Sequence, residues 1–253
     1  MRLRRSLAVL AALAGGLIGL ACSSAPAGPA VPALIGEGRR VLFIGNSLTY
    51  WNDLPLIAQA LADSAGGASL AVMVVAFPDF SLDDHRAEGT AQRAIARGGW
   101  EAVVLQQGPS SLPENREQLR STVGVLSGEI RAVGATPALY SVWPSDDRRA
   151  DFDRAIESYT LASQDVNGLL FPAAAAWLAA WRLDPTLALY SPDGLHPSVA
   201  GSYLAALVMY GVLYERSPVG LPSRVRLASG AQLGVTPDVA ALLQAAAAEV
   251  LDR

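Results

Sequence analysis

Lysine is missing from this 253-residue chain: all 19 of its basic residues are arginine. Alanine is in excess at the same time, so the bias reads as a coding preference and points to no particular function. Cysteine occurs once, at Cys22, so no intrachain disulfide can staple the fold and stability must come from a buried core. Histidine occurs twice, as His85 and His196, which with one cysteine leaves too few donors for a zinc site. Charged residues make up 17%, too few for a disordered or coiled-coil chain. The formal charge of −4 and a pI near 5.2 argue against a nucleic-acid binder, which would carry a basic face. Neither a phosphate loop nor a dinucleotide fingerprint occurs, so no cofactor is expected. What abounds is apolar: 51% of residues are hydrophobic, with a mean hydropathy of +0.30. Such a length and composition fit one α/β domain with a full core.

The first segment reads as an address. Arg2, Arg4 and Arg5 precede an apolar run from Leu7 to Ala21, which ends at Cys22. Fifteen apolar residues fall short of the ~20 that span a bilayer as a helix. The basic start, the short apolar run and Leu20-Ala21-Cys22 resemble a bacterial lipoprotein signal, in which the cysteine is freed by cleavage and lipidated. Gly19 stands where that family prefers leucine, which leaves ordinary secretion or a periplasmic location as the alternative. Residues 1–21 are therefore expected as signal peptide. Residues 22–37, rich in Ala, Pro and Gly, are expected as a tether, and 38–253 as the folded domain. The membrane is then a partner only through the lipid on Cys22, in the cell envelope.

Downstream, apolar runs alternate with helical patterns. Val41-Leu42-Phe43-Ile44 is continuous, as a strand buried on both faces of a parallel sheet requires. Further strands are expected at 70–76, 101–106, 136–143 and 168–171, and a short one at 224–227. Helical spacing covers about 54–64, 83–97, 114–133, 150–166, 197–214 and 237–251. The alanine runs at 173–176 and 245–248 look like close-packed helix faces, and Trp100, Trp177 and Trp181 like core or helix-interface residues. Alternating strands and helices imply β-α-β units and a three-layer α/β/α sandwich around a mostly parallel sheet of about five strands. Ligands of such sheets bind beyond the carboxyl ends of the strands, so chemistry is to be sought there.

Gly45-Asn46-Ser47-Leu48 follows the first strand directly. A serine past a strand end, after a glycine that eases the turn, can project its hydroxyl into the cleft. It needs a base to act as a nucleophile; helix capping is the plainer account of Ser47 taken alone. Asp193-Gly194-Leu195-His196-Pro197 supplies a partner. Across a three-residue turn, Asp193 can reach the δ nitrogen of His196, fix its tautomer and leave the ε nitrogen free for the serine proton. His85, beside Asp83 and Asp84, is the rival base, although a capping, solvated position at a helix start suits it better.

Gly-Asn-Ser-Leu early and Asp-x-x-His late resemble the first and last blocks of the SGNH (GDSL-type) hydrolase superfamily, over about residues 41–214. That resemblance implies a flavodoxin-like sandwich and serine esterase chemistry without a metal. It also implies an oxyanion hole made by the serine amide, a glycine amide and an asparagine side chain. Here Asp79, in Phe77-Pro78-Asp79-Phe80, stands at the glycine position, and its backbone amide can still donate. Gln106-Gln107-Gly108-Pro109 replaces Gly-x-Asn-Asp and resembles the Gln-Gly-Glu variant of carbohydrate acetylesterase branches. Gln107 is then the expected oxyanion donor, with Gln106 second, since strand alternation lets only one face the cleft. Asn46 and Trp143 are candidate substrate contacts. Tyr50-Trp51-Asn52 could line the cleft and stack on a sugar, with core packing the blander account of Trp51. The expected chemistry is attack by Ser47, with His196 as base and Asp193 as its orienter, on a small acyl ester (acetyl foremost) of a carbohydrate. A lysophospholipase or thioesterase is the alternative within the fold, and a non-catalytic binding lipoprotein the alternative outside enzymology.

Overall fold

The computed structural model describes residues 29–252. The expected signal peptide, Cys22 and the first part of the expected tether lie outside the described residues. Among those described, no helix is long and apolar enough to cross a membrane.

Five strands form one sheet: β1 (Arg39–Gly45), β2 (Leu70–Ala76), β3 (Ala102–Leu105), β4 (Thr136–Tyr140) and β5 (Leu169–Phe171). They pair in the order β2-β1-β3-β4-β5, all parallel. Val41 to Ile44 of the interior strand β1 are wholly buried, which is why that run carries no polar alternation. Chain order reverses at β1, whose neighbours are β2 on one side and β3 on the other. The crevice beyond the carboxyl ends of β1 and β3 is thus the topological switch point where open α/β sheets hold ligands.

The connections supply two helical layers. A one-turn helix, α1 (Ser47–Tyr50), and α2 (Leu54–Ser64) link β1 to β2. The 83–97 pattern forms two helices, α3 (Leu82–Glu88) and α4 (Thr90–Ala96), because Gly89 between them adopts φ +89°, outside the helical region. The remaining helices are α5 (Pro113–Ala132), α6 (Phe152–Asp165), α7 (Ala173–Leu183), α8 (Val199–Tyr214) and α9 (Pro237–Leu251). Helices α3 to α6 pack on one another as one layer; α2, α7, α8 and α9 form the other. Helix α7 carries the first alanine run, and small side chains there allow its close packing with α9. Helix α8 is buried on nearly all sides, with 12 of its 16 residues out of solvent, so it shows no polar face. The expected strand at 224–227 is real, as β6 (Arg224–Arg226), but it pairs only with an unforeseen partner, β7 (Gln232–Gly234).

The described end of the expected tether departs from expectation. Ile35 bridges Val72 with two backbone hydrogen bonds of 2.8 and 2.9 Å, adding a short antiparallel step to the exposed edge of β2. Arg93 and Arg97 hold the carbonyls of Pro29, Val31 and Pro32, while Val31 and Leu34 pack on the core. Apolar side chains in the segment, and the open strand edge beside it, fix it to the domain from residue 29 onward.

Candidate active site

Ser47 opens α1 immediately beyond β1. The helix cap is Asn46, whose Oδ1 accepts the N–H of Leu48 at 3.1 Å, so the Ser47 hydroxyl is not spent on capping. The turn is welded to β3 through Gln106, which is wholly buried. Its Oε1 accepts from Asn46 N at 2.9 Å and Thr49 Oγ1 at 2.6 Å, and its Nε2 donates to Asn46 Oδ1 at 2.9 Å. Gly45 is required by this arrangement, because a Cβ there would collide with Thr49 Oγ1 and Gln106 Oε1. With Asn46 also donating to Phe80 O at 3.2 Å, both ends of its amide serve the turn.

A cavity of about 300 Å3 opens on Ser47. Gln107 lines it, whereas Gln106 lies beneath the serine turn. Gln107 Oε1 accepts the Leu82 N–H at 3.2 Å and its Nε2 donates to Ser110 Oγ at 3.0 Å. Its backbone is clamped by Tyr159, whose hydroxyl accepts from Gln107 N at 3.0 Å and donates to Gln107 O at 2.7 Å. Burial pushes the Tyr159 hydroxyl far above the ordinary phenol range, which keeps it a donor. Asp79 also lines the cavity, in the left-handed conformation (φ +60°). This backbone requirement accounts for a glycine-like position, and aspartate is among the residues that tolerate it. The backbone amides of Ser47 and Asp79 have no hydrogen-bond partner among the described residues.

The late loop is built around Asp193. Its Oδ1 accepts the N–H groups of Leu195 and His196, both at 2.9 Å, and its Oδ2 lies 2.7 Å from His196 Nδ1. These contacts, the Leu195 amide first, outweigh partial burial and hold the Asp193 carboxyl below the usual carboxylate range. The Nδ1 proton therefore faces a carboxylate, and Nε2 is left as the acceptor. Nε2 is buried and unpartnered among the described residues; no hydrogen bond joins it to Ser47 Oγ. In apo sites this contact commonly tightens only when substrate arrives. Leu195, next to His196, lines the same cavity as Ser47, which places both loops at one site.

Three expectations need correction. Trp143 is wholly buried and stacks on Trp177 with ring centroids 3.7 Å apart; it cannot contact a substrate. Its Nε1–H donates to Leu195 O at 3.1 Å, so it supports the His196 loop from below. His85 is buried rather than solvated, packed beside Phe77 and Phe80 with Nε2 2.8 Å from Gly45 O. Burial lowers its pKa, and the neutral ring serves as a donor under the serine turn, away from the cavity. Trp51 is half-buried outside the core, and its ring stacks on that of His196, a partner the sequence did not suggest. The sequence reading overlooked Tyr159 and the cavity residues Ser110, Asn115 and Gln118. The turn-forming run Gly108-Pro109-Ser110-Ser111 at a strand end was the available signal for Ser110, and the i, i+3 spacing of Asn115 and Gln118 on α5 for those two; Tyr159, on α6, had none.

No family profile and no curated protein matches the chain. Among solved structures, a protein described as an SGNH hydrolase from Slackia heliotrinireducens is 30% identical. It covers 70% of this chain and 100% of its own, with a TM-score of 0.59. The chain belongs to the SGNH hydrolase family. The enzyme is thus a serine ester hydrolase. Two more distant structures share the fold of this SGNH hydrolase. A DUF4886 family protein from Bacteroides uniformis is 17% identical over 85% of this chain and 95% of its own, with a TM-score of 0.69. An acetylxylan esterase from Geobacillus stearothermophilus is 17% identical over 74% and 97%, with a TM-score of 0.54.

Proposed function

We propose that this SGNH hydrolase removes small acyl groups, acetyl foremost, from hydroxyl-rich alcohols of the carbohydrate type, with Ser47 as nucleophile, His196 as base and Asp193 as its orienter. One observation carries the reading: His196 is anchored at Nδ1 by Asp193, with an unengaged Nε2, beside a small polar cavity that opens on Ser47. Ser47 Oγ attacks the ester carbonyl as its proton passes to His196 Nε2. The tetrahedral oxyanion is met by the free amides of Ser47 and Asp79 and by the second Nε2 hydrogen of Gln107, the first being held by Ser110. Collapse breaks the ester C–O bond, and His196 returns the proton to the departing alcohol. Water, deprotonated by the same imidazole, then cleaves the acyl-serine to the free acid and restores Ser47.

Cavity size and polarity support the substrate class. About 300 Å3 suits a short acyl group, while a lysophospholipid or long thioester calls for an extended apolar groove. Ser110, Asn115 and Gln118 offer hydroxyl-binding groups in its wall. A neighbouring hollow of about 150 Å3, sharing Ser110, Asn115 and Leu195 and adding Ser111, Ser145 and Arg148, extends the polar lining. The likeness to an acetylxylan esterase agrees with this choice. A place in the cell envelope through lipid on Cys22 rests on the N-terminal pattern of Arg2, Arg4, Arg5 and the apolar run. Loss of membrane association in Cys22→Ser tests it.

A fluorophosphonate probe, which reacts with activated serines, tests the site. Labelling of the wild type and none of Ser47→Ala is expected. Equal labelling of both, or none of either on folded protein, refutes it. A series of p-nitrophenyl esters tests the acyl size: turnover falling steeply beyond short chains is expected, and turnover rising with chain length overturns the substrate class in favour of a lipid ester.

A further inference from the structure

Trp51 and His196 lie 145 positions apart, yet their rings stack with centroids 3.8 Å apart and planes 17° from parallel. The next residue, Asn52, donates through Nδ2 to Pro197 O at 3.0 Å and to Ser202 Oγ at 3.0 Å, on the segment that follows His196. Asn52 and Asp53 are both left-handed, with φ of +53° and +54°. Two successive non-glycine residues in that region are uncommon and persist only where surrounding contacts over-determine them. All of this sits within six residues of Ser47, on the turn that α1 begins.

We propose that Trp51 and Asn52 are positioning residues that lock the His196 imidazole in the orientation needed to take the Ser47 proton. The clamp rests on the Ser47–His196–Asp193 reading and adds to it the groups that fix the geometry of the base. Asp193 holds the ring at one edge only, through Nδ1. A single hydrogen bond leaves the ring free to tilt about that contact and to swing Nε2 off target. The indole lying flat on one face removes that freedom, and the Asn52 hydrogen bonds tie the backbone beyond His196 to the same turn. Nucleophile and base are thereby referenced to one short segment rather than to opposite ends of the chain. Asp193 is the charged group on the ring itself. Asp146, whose N–H donates to Gly194 O, is paired with Arg149, and Asp79 stands in the cavity wall.

The test uses Trp51→Phe, Trp51→Leu and Asn52→Gly, the last keeping the left-handed backbone open while deleting the amide. Misplacing a reacting group by about 1 Å costs on the order of a hundredfold. Trp51→Leu should therefore lose roughly tenfold to a hundredfold in kcat, and in the rate of fluorophosphonate labelling, with KM within about twofold of wild type. Trp51→Phe should recover most of that loss, and Asn52→Gly should fall between. Proton NMR supplies a readout that needs no catalysis, since the chain has only two histidines and His196→Gln assigns one of them. The His196 ring protons should be displaced upfield by the indole in wild type, released in Trp51→Leu, and partly released in Asn52→Gly. Wild-type kcat and labelling in the folded fraction of Trp51→Leu overturn the clamp while leaving the Ser47 chemistry standing. An undisplaced His196 signal in wild type overturns it as well. Should Ser47→Ala prove as reactive as wild type, the function proposed above fails instead, and the NMR comparison still decides whether the rings are held together.

Discussion

Replacing Asp193 by asparagine separates two tasks that its carboxylate performs together. Oδ1 closes the loop on the Leu195 and His196 amides, while Oδ2 takes the Nδ1 proton of the ring. An asparagine that keeps the backbone bonds must present its NH2 to Nδ1, which can then only accept. The ring hydrogen moves to Nε2, the atom that has to take the proton from Ser47. The loop should survive and the chemistry should not. In a buried triad that wrong tautomer costs ~10⁴ in turnover. Here the Asp193 side chain is 44% exposed, so water competes for the ring and part of the productive tautomer returns. We therefore expect a loss of about 10²–10³ in kcat, or about 3–4 kcal/mol on the barrier. Asp193→Ala should keep more activity than Asp193→Asn, because water on Nδ1 can accept where an amide NH2 cannot. Its cost falls on the loop instead, and solvent replacing the lost acceptor holds this to ~1 kcal/mol of stability. The assay is kcat and KM on p-nitrophenyl acetate, with circular dichroism and Tm as the check on folding. A folded Asp193→Asn within tenfold of wild type would refute the tautomer argument, as would a folded alanine variant less active than the asparagine one. The depressed Asp193 pKa fixes a sign too: its contribution is present above ~3.9 and is lost only as pH falls through the lower folded value. An acid limb observed between pH 5 and 7 cannot then be its titration.

Gln107→Ala should lower kcat by about 10²–10³ with the fold intact, apart from ~1 kcal/mol for the unpaired Leu82 amide; retention of wild-type turnover removes Gln107 from the oxyanion hole. Asp79→Gly keeps the left-handed turn and the backbone amide, so kcat/KM should hold or rise; a drop beyond tenfold means that the carboxylate itself acts. Gly45→Ala should destabilise the serine turn by about 1–3 kcal/mol, read as a fall in Tm, because its Cβ meets Thr49 and Gln106. His85 is buried with a lowered pKa, so on acidification below ~6.5 the unfolded chain takes up its proton first and stability declines towards the folded value. His85→Gln, which can still donate to Gly45 O, should flatten that decline in denaturant titrations at pH 5–7.

The fold was legible where one physical rule dominated. Val41 to Ile44 carry no polar residue because both faces of an interior parallel strand are buried, and apolar runs likewise marked β2 to β5, with β4 stopping at Tyr140 rather than at 143. Such reading failed where two rules competed. The 83–97 stretch has helical periodicity throughout, but Gly89 at φ +89° breaks it, and periodicity is blind to one backbone angle. The segment at 29–37 has the composition of a linker, yet Ile35 pairs with the open edge of β2. Composition reports what a segment prefers alone, whereas an unpaired strand edge belongs to the tertiary structure. β7 was illegible for a related reason: three residues paired only with β6 leave too short a pattern to stand out.

The site divides along another line. Residues proposed for the chemistry itself (Ser47, Asp193, His196, Gln107) could be singled out from type and position, and Ser47, Gln107 and Leu195, the neighbour of His196, line one cavity. Those whose role lies in holding another group could not. Trp143 was read as a substrate contact, but it stacks on Trp177 and props the Leu195 carbonyl. His85, beside two aspartates at a helix start, was expected in a solvated, capping place, but it is a buried donor to Gly45 O. Trp51 had two candidate roles, both local, and the structure gives it a third that spans 145 positions. In each case the partner comes from a distant stretch of chain, and no local pattern encodes it. A chain with only two histidines therefore uses one to brace the turn that carries Ser47 and, among the described residues, keeps the other's ε nitrogen unengaged. That is the arrangement expected if indole, amide and carboxylate contacts are all needed to aim a single imidazole.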